Sequence, residues 1–547
     1  MKIKIIALLF VLIGLSSCSD FLNYDEVSQY TEEQVFTNFD RTKSFVTNIY
    51  SYLESDFCSI DGAMRAAGCD EAVHVWNSSN IHTFTNGTWS PLNTVDDVWA
   101  YNYKGIRAAN FYLAKGTGRL FEEYKYADGY ANNMLRYNNY EWEVRFLRAY
   151  FYFELVKRYG GVPLITKLLT PEEANNTARA SFDECVQFIV EECDTVAKHL
   201  PISYGSDYNT ETGRVPRAAA YALKSRLLLY AASKLHNPEN DVEKWKAAAK
   251  AAKLVIDSAV VFKINNLQMY ELITNNINCT EVIWDRREGM QGNFEKLNFP
   301  IGFEGGNTGT CPTQNLVDAY GMKAGTYSLT APYTNRDPRL DKTVVLNNTK
   351  WAYNETVEAW EGGNSGLPKT GASPTGYYLK KYLVKDVSFK PSGNTSFLHT
   401  WVMFRYGEIL LNYAEAVNEV FKNPNLKDTE LNKTAIEVLN LVRRRTLVLM
   451  PNIATTTTYD NFVEIVRRER FVELAFEDHR FWDIRRWMIG DKTTEIYGMK
   501  IVKDGTKFIY TPQKIVDRVW DDKYYFYPIS QAELNKNKML KQNTGWE

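Results

Sequence analysis

Residues 463–487 read VEIVRRERFVELAFEDHRFWDIRRW, and several patterns overlap in them. Phe462, Ile465, Val466, Val472, Ala475 and Phe476 recur at helical spacing and form one apolar stripe. Glu469, Glu473 and Glu477 form a second stripe, each four residues from the next. Like charges at that spacing oppose a helix by roughly 0.2–0.5 kcal/mol per pair, so something must compensate them. Arg467, Arg468, Arg470, Arg480, Arg485 and Arg486 are at hand, and Arg443, Arg444 and Arg445 lie just upstream. Arginine beside carboxylate and aromatic residues predicts bidentate pairs that lock helices together. The competing reading is a carboxylate active site or a di-metal site. His479 follows Glu477 by two residues, so the Glu-x-x-His pattern of di-iron bundles is absent.

Helical periods continue upstream at 403–420 and 430–446, with the quoted stretch supplying 460–478. Before them, residues 281–399 change texture. Gly, Asn, Thr, Pro and Trp cluster there, as in Gly305-Gly306-Asn307 and Gly362-Gly363-Asn364. Short strands are expected at 343–346 and 377–384, and Glu281 to Trp284 also reads as a strand. More than a hundred irregular residues inside a helical protein favour a binding surface over a spacer.

The N-terminal half is again helical, at 36–53, 95–113, 140–159, 181–200, 213–233 and 241–258. Gly160-Gly161-Val162-Pro163 stops the third of these. Ser181 and Glu184 make a capping box for the fourth. A loop-rich segment at 55–91, holding Trp76, Asn77, Asn80 and Trp89, interrupts the series, and its aromatic content argues against disorder.

At the N-terminus, Lys2 and Lys4 precede an apolar run from Ile5 to Leu15, too short to span a bilayer. Leu15-Ser16-Ser17-Cys18 follows and resembles a lipobox, so residues 1–17 are expected to be a signal peptide and Cys18 the lipidated first residue. Acyl chains anchor such a protein at about 0.8 kcal/mol per buried CH₂. Six cysteines remain. Cys185 and Cys193 sit eight apart on one predicted helix, about 12 Å of rise, too far for a disulfide. Whether Cys58 and Cys69 bridge a loop is open at this level.

The chain of 547 residues carries a formal charge of −2, which offers no basic field for nucleic acid. Aromatics are abundant, with 35 Tyr, 28 Phe and 13 Trp, and must serve mostly as core. There is no G-x-S-x-G, H-E-x-x-H or phosphate loop, and no cofactor is implied. His74 and His82 are the closest histidine pair and read as loop hydrogen-bonding groups rather than metal ligands.

The quoted stretch resembles the C-terminal signature of the SusD/RagB family, the outer-membrane nutrient-binding lipoproteins of Bacteroidetes. Further likenesses are Ser19-Asp20-Phe21-Leu22 after Cys18, Tyr159-Gly160-Gly161-Val162-Pro163-Leu164, Asp337-Pro338-Arg339-Leu340, the run Arg405 to Ala416, and the ending Gln542 to Trp546. The resemblance implies a mainly α fold, four TPR-like helix pairs with a loop-rich C-terminal region and a few short strands. It divides the chain into a helical region at 18–270 and a SusD/RagB region at 271–547, the latter holding the insert 281–399 and the returning helices 403–478. It also implies a surface glycan-binding lipoprotein on the outer membrane, serving a SusC-like TonB-dependent transporter without catalysis. The family carries its ligand site on variable loops, so its landmarks do not transfer one. The residues expected to bind are Trp76, Asn77 and Asn80 in the first loop, Trp351 and Trp360 in the second, and Trp284 with less support. Trp546 is expected to dock the C-terminus by burial. The alternatives are a peptide-binding lid of the RagB type, a scaffold that mainly holds a protein partner, and a glycoside hydrolase using paired carboxylates.

Overall fold

The computed structural model describes residues 30–205, 211–264 and 279–547. The expected signal peptide, Cys18 and the boundary near residue 270 lie outside them. Ten helices of eight residues or more occur among the described residues: α1 (Phe39–Tyr50), α2 (Trp99–Lys115), α3 (Tyr130–Tyr159), α4 (Phe182–Val196), α5 (Arg217–Ala232), α6 (Val242–Ser258), α7 (Tyr406–Phe421), α8 (Ala435–Arg443), α9 (Tyr459–Glu473) and α10 (Arg480–Trp487). They pack largely in sequence order, α2 on α3, α3 on α4, α4 on α5, α5 on α6, with α7 then laid on α6 and flanked by α8 and α9. This is a mainly helical, TPR-like stack, as expected. No helix among the described residues is long and apolar enough to cross a membrane.

The caps follow the sequence. Ser181 Oγ accepts from Glu184 N while the Glu184 carboxylate accepts from Ser181 N, closing the predicted capping box of α4. Gly160 ends α3 at φ 72°, and at Gly161 a Cβ would stand 2.1 Å from the Ala180 carbonyl oxygen. α3 begins ten residues earlier than its apolar period suggests. Its first turns mix exposed Asn132 and Leu135 with Tyr130 and Met134, which pack on the edge of the core, and Tyr137 stands edge-on to Phe121.

All strands among the described residues pair in twos, antiparallel. β1 (Ala72–His74) pairs with β3 (Thr310–Pro312), and β2 (Val282–Gln291) with β8 (Phe397–Arg405). β4 (Val344–Val345) pairs with β7 (Tyr378–Leu379), inside the two stretches expected as strands. β5 (Thr349–Lys350) and β6 (Thr356–Val357) make a small hairpin, β9 (Glu495–Asp504) and β10 (Lys507–Asp517) a long one. Met403 to Arg405 lie in β8, not in the helix expected from 403, because the ladder to β2 takes their backbone groups before α7 begins.

The quoted stretch is two helices, not one. Arg405 and Lys381 donate to the carbonyl oxygens of Glu473 and Ala475, both at 2.8 Å, which terminates α9. Phe476 and Asp478 then take positive φ, 59° and 61°, before α10 starts. The glutamate stripe is the predicted lattice. Glu469 receives Arg339 and Arg443, both at 2.6 Å. Glu473 receives Arg339 and Arg405 at 2.9 Å and Arg445 at 2.5 Å. Glu477 receives Arg405 and Lys381, both at 2.5 Å. These carboxylates are buried and each is held by two or more cations, so they join α9 to β8, α8 and the 337–343 turn. Cys58, Cys69, Cys185, Cys193, Cys279 and Cys311 are all free thiols. Trp546 is buried, its indole N–H donating to Lys523 and Phe526 carbonyls.

Candidate functional site

The loop at 55–91 is fastened before it turns outward. Asp70 holds Arg480 through two bonds of 2.9 and 2.7 Å. Glu71 accepts from Phe476 N at 2.6 Å, so the break between α9 and α10 is finished by a carboxyl from the first loop. Burial pushes the Glu71 carboxyl up to about 8, against the opposing pull of that hydrogen bond. Arg65 reaches Asp96 at 3.0 Å and Asp478 at 2.7 Å. The C-terminal stretch thus anchors the first loop as well as the helices.

From there β1 runs along β3, which places the first loop against the 299–312 segment of the insert. Val75 N donates to Gly309 O at 3.0 Å. Gly309 has φ 46°, and a Cβ there would stand 2.4 Å from the Leu297 carbonyl oxygen, so only glycine fits this join. Trp76 follows at once. It is half-buried, and its indole N–H donates to Asn307 O at 2.8 Å. Its ring edge lies over Gly371, where a Cβ would come within 3.0 Å of it. Asn77 and Asn80 are exposed beside it. Asn80 also lines a cleft of about 570 Å³ with Ser59, Asp61, Asp97, Tyr101 and Arg286.

Against the same 299–309 loop, half-buried Trp351 stands edge-on to Phe299, with centroids 5.1 Å apart. Tyr353 lies 6.0 Å from the same ring, and its hydroxyl donates to Glu304 O at 2.9 Å. Trp76 and Trp351, far apart along the chain, therefore rest on one loop.

Two expected ligand residues are placed elsewhere. Trp284 is 2% exposed and stands edge-on to Phe146 and Tyr150, with its N–H donated to Gly213 O at 3.2 Å. It is an inward position of β2 and belongs to the core under α3, which corrects its expected role. Trp360 is 8% exposed, packed on Phe508 and with Lys503 Nζ 4.5 Å from its ring centroid. The β9–β10 hairpin covers it, so it too is removed from the open face. Tyr353, Ile301 and Gly371 join that face although none was singled out from sequence. The apolar run Phe299-Pro300-Ile301 inside a glycine-rich stretch was the available signal.

His74 and His82 have ring centroids 6.3 Å apart. A His82 ring nitrogen bonds Trp76 O at 3.0 Å, which stiffens the turn below the indole, and burial lowers His74 to about 4. Among the described residues no group of three or more His, Cys, Asp or Glu could hold a metal ion.

A stack of helix pairs that carries two distant, aromatic-bearing loop segments on one shared loop defines a class of scaffolded proteins. The chain belongs to the SusD/RagB family: a model described as the SusD family matches residues 280–546, and one described as "Starch-binding associating with outer membrane" matches residues 20–229. SusD-like protein P25 of Formosa agariphila is 24% identical, the match covering 99% of this chain and 98% of that protein. A crystal structure of a SusD-like protein from Bacteroides fragilis has a TM-score of 0.78 at 28% identity, covering 94% of this chain and 98% of that one. A SusD-like carbohydrate binding protein from the same species shares the fold, with a TM-score of 0.74 at 23% identity over 93% of this chain and 100% of that one.

Proposed function

We propose that this protein binds oligo- or polysaccharide at the face built from the first loop and the 299–309 loop, and delivers it to a SusC-like TonB-dependent transporter of the outer membrane. A lipid on Cys18 tethers it there, facing the cell exterior, and no bond is made or broken. The observation that carries the reading is Trp76. Its N–H is already given to Asn307 and its ring edge meets Gly371, so the half-buried ring is held in place, with Asn77 and Asn80 exposed next to it. A flat ring of this kind offers a surface to the C–H face of a sugar, and amide groups read its hydroxyls. Trp351, resting on Phe299 of the same loop, extends the face. Family membership and the model description "Starch-binding associating with outer membrane" support the glycan class and the location. One relative of the same fold is itself described as carbohydrate binding.

The test is affinity gel electrophoresis on a polysaccharide panel, run beside a peptide mixture in a separate binding assay. Trp76→Ala and Trp351→Ala should lose retardation by the polysaccharide that slows the parent, with little change in melting temperature. Retardation unaltered in both variants, or binding of peptides with no polysaccharide, would refute this reading. Copurification with a large outer-membrane barrel tests the transporter.

A further inference from the structure

An open apolar groove of about 220 Å³ lies along α2. Tyr103 and Ile106 of α2, Ile165, Leu168 and Leu169 of the segment after α3, and Leu540 near the C-terminus form its walls. It shares no residue with the loop-built face. The polar groups beneath it are already paired. Tyr103 donates to Pro163 O, Asn110 to Ile165 O and Asn537 to Thr177 O, each at 2.8 Å. Side chains of α2 thus take backbone carbonyls of the 163–169 segment, and Ile165, Leu168 and Leu169 are left half-buried along the groove. Apolar side chains gathered in an open groove mark an interaction site rather than ordinary surface.

The rim of the groove is basic. Arg107 gives one N–H to Leu169 O at 3.4 Å, and neither Arg107 nor Lys167 has an ion-pair partner among the described residues. The carboxylate that lines the groove, Glu533, is held by Lys536 at 2.6 Å. The complementary occupant brings apolar side chains with acids beside them. The chain contains such a stretch. Residues 18–29, which precede the described residues, read CSDFLNYDEVSQ. Phe21-Leu22 stands between Asp20 and the pair Asp25-Glu26, and the stretch holds no Lys or Arg.

The reach is sufficient. Glu32 pairs with Lys115 at 3.4 Å, so the first described residues lie at the C-terminal end of α2. Asn110 and Arg107 stand five and eight residues back along that helix, about 8 and 12 Å. Leu22 precedes Tyr30 by eight residues, at most about 28 Å of extended chain.

We infer that the groove along α2 is the docking site of the chain's own N-terminal segment, with Phe21 and Leu22 in the groove and Asp20, Asp25 and Glu26 against Arg107 and Lys167. Docking leaves Cys18 to Asp20 outside the groove, about 10 Å of chain, in place of about 40 Å for the whole of 18–29. Where Cys18 carries the proposed lipid, this holds the helical scaffold close to the membrane. The docking itself depends neither on that lipid nor on what the loop-built face binds.

The experiment is photo-crosslinking in the full chain with Phe21→p-benzoylphenylalanine, the products mapped by peptide mass spectrometry. Crosslinks within one molecule should fall mainly on 99–110, 163–175 and 531–540. Arg107→Glu combined with Leu169→Glu should cut that yield at least about fivefold with little change in melting temperature. Arg107→Glu alone, at an exposed position, should cut it about twofold, so the test stands even where the double variant unfolds. The inference is overturned by crosslinks spread over other surfaces, by a yield no higher than in the urea-unfolded chain, or by a yield untouched in both variants. Crosslinks that join two molecules and rise with concentration also overturn it, and assign the groove to a second copy. Polysaccharide retardation is not the readout, so failure here and failure at the loop-built face are separate results.

Discussion

Glu71→Gln isolates the contact by which the first loop is fastened to the C-terminal helices. The carboxyl is 1% exposed, and its folded value of about 8 stands well above the ordinary 4.5. The folded protein therefore binds this proton more tightly than the unfolded chain. Its contribution is fully present below pH 4.5 and is lost as pH rises through about 8. At about 1.4 kcal/mol per tenfold, the whole gap corresponds to a ceiling of about 5 kcal/mol. Glutamine keeps the carbonyl that accepts from Phe476 N and has no proton to lose. Urea unfolding of parent and variant should be run at half-unit steps across the interval from the ordinary to the folded value. The parent's stability relative to Glu71→Gln should fall by about 3–5 kcal/mol across it. A constant difference, or one that grows with pH, would refute the reasoning. The functional corollary is that polysaccharide retardation by the parent weakens toward alkaline pH, and that the variant's does not.

Arg405→Met removes a guanidinium that serves Glu281, Glu473 and Glu477 and caps the end of α9, all of it buried. Breaking a buried pair from one side costs about 3–5 kcal/mol, whereas Lys246→Ala at the exposed Glu243 pair should leave the urea midpoint essentially unchanged; paired urea titrations compare them. Gly161→Ala should prevent accumulation of folded protein or sharply lower its melting temperature, because a Cβ 2.1 Å from Ala180 O has no room. In a thiol titration of native protein with an aromatic disulfide, Cys279 should react first, being half-buried. The five buried thiols should react only on unfolding, their ionisation being opposed by burial.

The scaffold was legible in sequence because its signals are local. Periodicity placed the helices, the Ser181–Glu184 box and Gly160 set their ends, and the spacing of Glu469, Glu473 and Glu477 demanded the cations that surround them. The strand pair at 344–345 and 378–379 also fell inside stretches marked by composition. The split at 474–479 was not legible. It depends on Arg405, Lys381 and Glu71 arriving from elsewhere to take the backbone groups that a continuous helix would have used.

The same division runs through the candidate site. Composition alone marked residues 55–91 and 281–399 as loop-rich and ring-bearing, since turn residues and tryptophans declare themselves one at a time. Which rings face outward is a property of pairs. β1 on β3 carries Trp76 to the 299–309 loop, whereas the β9–β10 hairpin closes over Trp360 and α3 closes over Trp284. An indole has the same local preferences in either setting, so its burial was decided by contacts far away along the chain, which only the tertiary structure supplies.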